Sequence, residues 1–238
     1  MIIKKNSFDD KDRLIVALDL PDIEKAKKLI LELGDSVNFY KVGLELAMSG
    51  NYFELIHFLI NNNKKVFADL KFYDVPNTVS SAIKQLNKLD IDFATVHGDR
   101  SIIEAAASSK KNNLKILAVT VLTSMDKKDL SDYGIGYNIK ELVLIRAKLA
   151  SESGIDGIVS SGHETKDIRK SLGNDLIIVN PGIRPSDNQS KDDQKRIVTA
   201  SEAINNGADF IVVGRPIRNS ISPRKTAEQL QIEIANSL

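Results

Sequence analysis

Eight short apolar runs divide this chain: Leu14 to Leu18, Asn38 to Val42, Lys65 to Leu70, Phe93 to Val96, Lys115 to Leu122, Gly157 to Val159, Leu176 to Val179 and Phe210 to Val213. They are rich in Val and Ile and show little polar alternation, the pattern of strands buried on both faces of a parallel sheet. Helical patterns lie between them. Ile23, Ala26, Ile30 and Leu33 recur at helical spacing and stop at Gly34, a suitable left-handed cap. Thr199 and Glu202 have the spacing of a capping box, and Ser222-Pro223 reads as an N-cap followed by a first-turn proline. The order is strand then helix throughout.

About eight such units in 238 residues predict an α/β protein, a single-domain (β/α)8 barrel, a fold that commonly takes about 250 residues. An open doubly wound sheet is the alternative, but neither a G-x-G-x-x-G turn after the first strand nor a P-loop is present. One domain over 1–238 is expected, with 1–12 a polar N-terminal extension. Three runs echo one another, Ile91-Asp92-Phe93, Ile155-Asp156-Gly157 and Ala208-Asp209-Phe210, without a fixed period. Two long polar loops, Thr123 to Asn138 and Arg184 to Arg196, follow strands, so a barrel would place both on its active-site face. The second, 184–196, is expected to act as a lid.

With 33 basic and 32 acidic residues the net charge is +1, so no bulk field points to nucleic acid or a membrane surface. Cysteine is absent, which removes disulfides, thiolate metal sites and a cysteine nucleophile, and fits the cytoplasm. Residues 1–12 lack the apolar core of a signal peptide, and no run approaches the roughly 18 residues of a membrane span. His57, His97 and His163 show no ligand spacing, so no metal is expected; His97, at the end of the fourth run, could border a site but reads first as structural or solvent-facing. Tyr133 and Tyr137 read as loop anchors.

The charges at the strand ends are the candidates for chemistry. In Asp69-Leu70-Lys71-Phe72-Tyr73-Asp74, residues two apart share a strand face, so Asp69 and Lys71 are expected to project together and shift each other's ionisation. Asp19 ends the first strand and Lys41 lies near the end of the second. Singly, Asp19 before Pro21 reads as a turn residue and Lys41 as a snorkelling rim residue. Four ionisable groups on three successive strands favour a site instead. The turns Asn180-Pro181-Gly182-Ile183-Arg184-Pro185 and Gly214-Arg215-Pro216 pair glycines with arginines, a combination suited to phosphate.

Together these segments resemble the orotidine 5′-phosphate decarboxylase family. The resemblance spans nearly the whole chain, through Ile15 to Asp19, Tyr40 to Gly43, Asp69 to Thr78, Val119 to Ser124, Pro181 to Pro185, Asp193 to Arg196 and Val212 to Arg215. It implies a (β/α)8 homodimer that converts orotidine 5′-phosphate to UMP, the last step of pyrimidine nucleotide synthesis, without metal or organic cofactor. It further implies that Lys41, Asp69 and Lys71 form a charged array completed by Asp74 of the partner subunit, with Lys71 the proton donor. Thr78 would cross the interface, and Asp19 and Lys41 would contact the ribose. Thr123 or Ser124 would meet the pyrimidine, while Arg184, Gln194, Gly214 and Arg215 would hold the phosphate region. Tyr73 and Val75 stand where the family commonly has His and Ile.

Two rival readings differ in chemistry. A related decarboxylase or aldolase acting on a sugar phosphate with Mg²⁺ usually carries a carboxylate on strand two; Lys41 stands there and would repel the metal. A catalytically silent binding barrel has little need for a proton-donating lysine.

Overall fold

The structure, a computed structural model, describes residues 8–184 and 196–238. Its strands are β1 (Leu14–Ala17), β2 (Phe39–Gly43), β3 (Lys65–Phe72), β4 (Phe93–His97), β5 (Lys115–Val119), β6 (Gly157–Val159), β7 (Ile177–Asn180) and β8 (Phe210–Val213). They pair in chain order, all parallel, and β8 closes on β1. At least one helix separates each strand from the next. This is the single-domain (β/α)8 barrel that the apolar runs predict, and closure removes the open edges of the doubly wound alternative.

Each strand is apolar on both faces for a visible reason. Ile15, Ala17, Phe39, Phe67, Phe93, Leu117, Ile177, Val179, Phe210 and Val212 fill the barrel interior. Their neighbours Leu14, Val16, Tyr40, Val42, Val66 and Ala68 pack beneath the helices. The lower interior is a tier of rings, with Phe93 centred 4.9 Å from Phe39 and 5.1 Å from Phe210. Burying each such ring contributes roughly 1.5–3 kcal/mol.

The echo among three runs is a repeated clamp. Asp92, Asp156 and Asp209 each precede an even-numbered strand, and their carboxylates accept the N–H of Val66, Ile116 and Ile178, each at 2.8 Å. The same backbone donor at the start of β3, β5 and β7 is thereby satisfied at the N-terminal end of the barrel, far from the strand C-termini. Lys110 and Arg169 neutralise two of these carboxylates.

Two expectations about boundaries need correction. The fifth run ends as a strand at Val119, and Thr120 beyond it directs both its N–H and its hydroxyl to Val159 O, at 3.1 and 3.0 Å. The polar extension is not simply polar either. Phe8 packs 4.6 Å from Phe210, Asp12 pairs with Lys65 at 2.6 Å, and Arg13 donates to Asp209 O, so residues 8–12 cover the N-terminal mouth. Residues 1–7, and most of the expected lid (185–195), lie outside the described residues.

The expected caps place the helices. Gly34 has φ +55° after the helix Ile23–Leu33, and Thr199 and Glu202 form a reciprocal capping box on Ala200–Asn205. Pro223 opens Pro223–Ala235 at the N-cap Ser222. Among the described residues no helix is long and apolar enough to cross a membrane.

Candidate active site

Barrel register carries the first charges inward. Lys41 follows the interior residue Phe39 by two, and Asp69 follows Phe67 by two, so both point to the C-terminal mouth of the barrel. Register also sets Ala17 beside Lys41 and Gly43 beside Asp69, with Asp19 just beyond β1. The result is a continuous chain of opposite charges. Lys41 Nζ lies 3.0 Å from Asp19 Oδ1 and 3.2 Å from Asp69 Oδ2, and Lys71 Nζ lies 2.9 Å from Asp69 Oδ1.

Lys71 reaches this position by a route that simple alternation does not supply. Between Ala68↔Ala94 and Phe72↔Val96 the register shifts: β3 advances four residues while β4 advances two. Within this bulge Lys71 has φ +48°, in the left-handed region that a lysine seldom occupies. Thr95 holds it there. The Lys71 N–H donates to Thr95 Oγ1 at 2.9 Å, and the Thr95 hydroxyl donates to Asp69 Oδ1, also at 2.9 Å. Local backbone strain at a strand end thus sets the direction of one ammonium group.

The electrostatics follow from this enclosure. Burial pushes the Asp69 carboxyl up, but the charges of Lys41 and Lys71 and the hydrogen bonds from Lys71 and Thr95 outweigh it and hold the group at about 2. Burial pulls Lys41 down, yet Asp69 and Asp19 more than offset this and raise it. Both therefore stay ionised at neutral pH. Gly43 leaves room for the array: a Cβ there would sit 3.3 Å from Lys41 Nζ and 3.4 Å from Asp19 Oδ1.

A cavity of about 200 Å³ joins this array to the turns after β7 and β8. Thr123, Gly182, Arg184, Gly214 and Arg215 line it beside Asp19, Lys41, Asp69 and Lys71. Gly182, at φ +78°, takes the chain over the mouth in a conformation that suits glycine. Asn180 braces that turn, donating to Ser160 O and accepting from Thr165 Oγ1, each at 2.9 Å. The lining carries five cations, Lys41, Lys71, Arg184, Arg215 and Arg218, against two carboxylates, Asp19 and Asp69. Such a pocket suits a polyanion.

Other expected residues lie elsewhere. Asp74 is exposed, accepts the Val75 N–H at 2.6 Å and does not line its own chain's cavity; Thr78, on the helix Pro76–Leu86, is exposed as well. Ser124 lines a neighbouring depression with Tyr73, His97 and Tyr133, which leaves Thr123 facing the cavity. Gln194 lies outside the described residues. His97 borders that depression, half-buried, its ring centred 4.6 Å from that of Tyr73. Tyr133 and Tyr137 are not anchors: they are 74% and 55% exposed. Sequence reasoning missed Thr95, Gly43 and Arg218. A threonine in an apolar run reads as an ordinary strand residue, and nothing local distinguishes it.

A closed parallel barrel with an ionised array and an arginine-lined cavity at the strand C-termini has the fold and site of a barrel enzyme whose pocket suits an anionic substrate. The chain belongs to the orotidine 5′-phosphate decarboxylase / HUMPS family, whose model matches residues 12–230. Within that family it is an enzyme of the decarboxylase branch. It is 56% identical to orotidine 5′-phosphate decarboxylase of Methylococcus capsulatus over 94% of this chain and 92% of that one. It is 46% identical to that of Stenotrophomonas maltophilia over 96% and 95%. The crystal structure of the Lactobacillus acidophilus enzyme superposes with a TM-score of 0.82 at 36% identity, covering 94% of this chain and 99% of that one.

Proposed function

We propose that this protein decarboxylates orotidine 5′-phosphate to UMP with Lys71 as the proton donor. The observation that carries the reading is the Lys71 ammonium, fixed 2.9 Å from a buried, ionised Asp69 and facing the same cavity as Arg184 and Arg215. A nucleotide with a carboxylate at one end and a phosphate at the other matches this distribution of charge.

In the reaction the bond between C6 and its carboxylate breaks, CO₂ leaves, and the electron pair remains on C6. No cofactor is needed if the site supplies a cation at that carbon. Lys71 Nζ supplies it, then transfers its proton to C6 and regains one from water. Asp69 lies against the departing carboxylate and holds Lys71 in place. Lys41 and Asp19 meet the ribose hydroxyls, and Thr123 meets the base. Arg184, Gln194, Gly214 and Arg215 bind the phosphate, and this remote binding energy orients the reacting end.

A second copy of the chain completes the site in this reading. Tyr73 and Val75, 66% and 64% exposed, flank Asp74 on a face beside the array. Covering these apolar groups with a partner would carry Asp74 and Thr78 into the partner's cavity. The protein then acts as a cytoplasmic homodimer.

The Mg²⁺-dependent sugar-phosphate reading is disfavoured by Lys41. Its ammonium sits between Asp19 and Asp69, where a divalent cation would have to bind. The test is loss of orotate absorbance on adding purified protein to orotidine 5′-phosphate in EDTA. Turnover is the expected result. Inactivity there, with metal-dependent turnover of a sugar phosphate, overturns the proposal.

A further inference from the structure

We propose that Arg218 is a specificity-determining residue, a second guanidinium contact to the phosphate of the nucleotide beside Arg215; this rests on the decarboxylase reading of the site. The two arginines are the first and last residues of the single helical turn Arg215–Arg218 after β8, three apart and so on one side of it. Both line the cavity. The Arg218 N–H donates to Gly214 O at 3.0 Å, which folds the turn back over the glycine. Its side chain then covers the bare Cα: a Cβ on Gly214 would lie 3.8 Å from Arg218 Nε.

The second observation is the state of the Arg218 side chain. Arg218 Nε is buried and has no hydrogen-bond partner among the described residues. Three other arginines pair with carboxylates, Arg13 with Asp10, Arg169 with Asp209 and Arg196 with Glu164, although Arg196 Nε also lacks a hydrogen-bond partner among the described residues. Nε itself is closed off against Gly214, but Arg218 lines the cavity, where an anionic ligand would accept from its guanidinium. Phosphate fits this role, because a planar guanidinium presents two parallel donors to two of its oxygens. The competing explanation is structural: a cation at the end of a helical turn complements its carbonyls and touches no ligand.

Turnover of orotidine 5′-phosphate and of phosphate-free orotidine distinguishes the two. It is measured for wild type, Arg218→Ala and Arg218→Lys, together with calorimetric binding of UMP and of uridine. Loss of one charge-assisted contact lowers kcat/KM for the nucleotide and weakens UMP by roughly tenfold to a hundredfold. Orotidine turnover and uridine binding stay at the wild-type level, and Arg218→Lys retains part of the nucleotide affinity. Equal losses on nucleotide and nucleoside, or no loss on either, overturn the proposal while leaving an active wild type as a decarboxylase. A wild type that neither binds UMP nor turns over the nucleotide overturns both readings. Should Arg218→Ala fail to fold, Arg218→Lys and Arg218→Gln carry the same comparison.

Discussion

The backbone N–H of Lys71 donates to the hydroxyl of Thr95, 2.9 Å away on the next strand, and that hydroxyl in turn donates to Asp69. One buried side chain therefore satisfies the strained bulge that aims Lys71 and the carboxylate that faces it. The interaction joins backbone geometry to charge placement.

Thr95→Val removes both hydrogen bonds with almost no change in volume. The Lys71 N–H loses its partner, so the bulge relaxes and the ammonium moves away from its position opposite Asp69. We expect kcat to fall roughly 10- to 100-fold, the scale of a small misplacement of a reacting group, with KM little changed. Stability should fall by about 1–3 kcal/mol for the unsatisfied buried donor. Steady-state kinetics and urea unfolding check both. A variant with wild-type kcat would show that Thr95 does not position Lys71.

Asp69 gives a prediction in pH. Its carboxyl is held at about 2 in the folded protein, below the ordinary 3.8 of an aspartate. Because the folded value is the lower one, the stabilisation is complete above about pH 4 and is lost as the pH falls through 2. The size at neutral pH is about 2 kcal/mol. Asp69→Asn should accordingly be less stable than wild type by about that amount at pH 7, with the difference shrinking below pH 4. Unfolding by urea at several pH values measures it; a gap that persists unchanged at pH 2 would count against the assignment.

The sequence made the barrel legible because strands buried on two faces cannot hide: runs such as Leu14 to Ala17 and Phe210 to Val213 are apolar at every position. Lys41 and Asp69 were legible for the same reason, each two residues beyond an interior phenylalanine. Other features depend on relations that no local pattern encodes. The bulge at Lys71 exists because β3 gains two residues on β4, and a single strand carries no record of its partner's register. Phe8 stands among polar residues, so its packing on Phe210 is invisible until the barrel closes. Arg218 reads as an ordinary polar residue of a short turn. The Asp92, Asp156 and Asp209 echo was visible, but its meaning as a backbone clamp needed the neighbouring strand.

Gly43 tests how closely the array is fitted. An added Cβ would press on Lys41 Nζ at 3.3 Å and Asp19 Oδ1 at 3.4 Å, both side-chain ends that can yield only by parting. Gly43→Ala should leave the fold intact, since its neighbours can give by a few tenths of an ångström. It should raise KM and lower kcat together, by on the order of tenfold in kcat/KM. A crystal structure of the variant would show a lengthened Lys41 to Asp19 contact. Unaltered kinetics would mean that the Lys41 to Asp19 pair does not set substrate position.

The proposed sharing of the site between subunits has an outcome that no single-chain arrangement can imitate. Lys71 faces its own cavity, whereas Asp74 is exposed and absent from it. Lys71→Ala and Asp74→Ala should each be inactive as homodimers. Mixed and allowed to exchange subunits, half the dimers become heterodimers. In these, the site on the Asp74→Ala chain keeps its own Lys71 and receives an intact Asp74 from the Lys71→Ala chain, while the other site lacks both. One of two sites works in half the molecules, so the mixture should regain about a quarter of wild-type activity. If Asp74 served its own subunit, every site in the heterodimer would lack one group and activity would stay at the level of the separate variants. The measurement is specific activity against mixing ratio, which should peak at equal amounts of the two chains and vanish at either extreme.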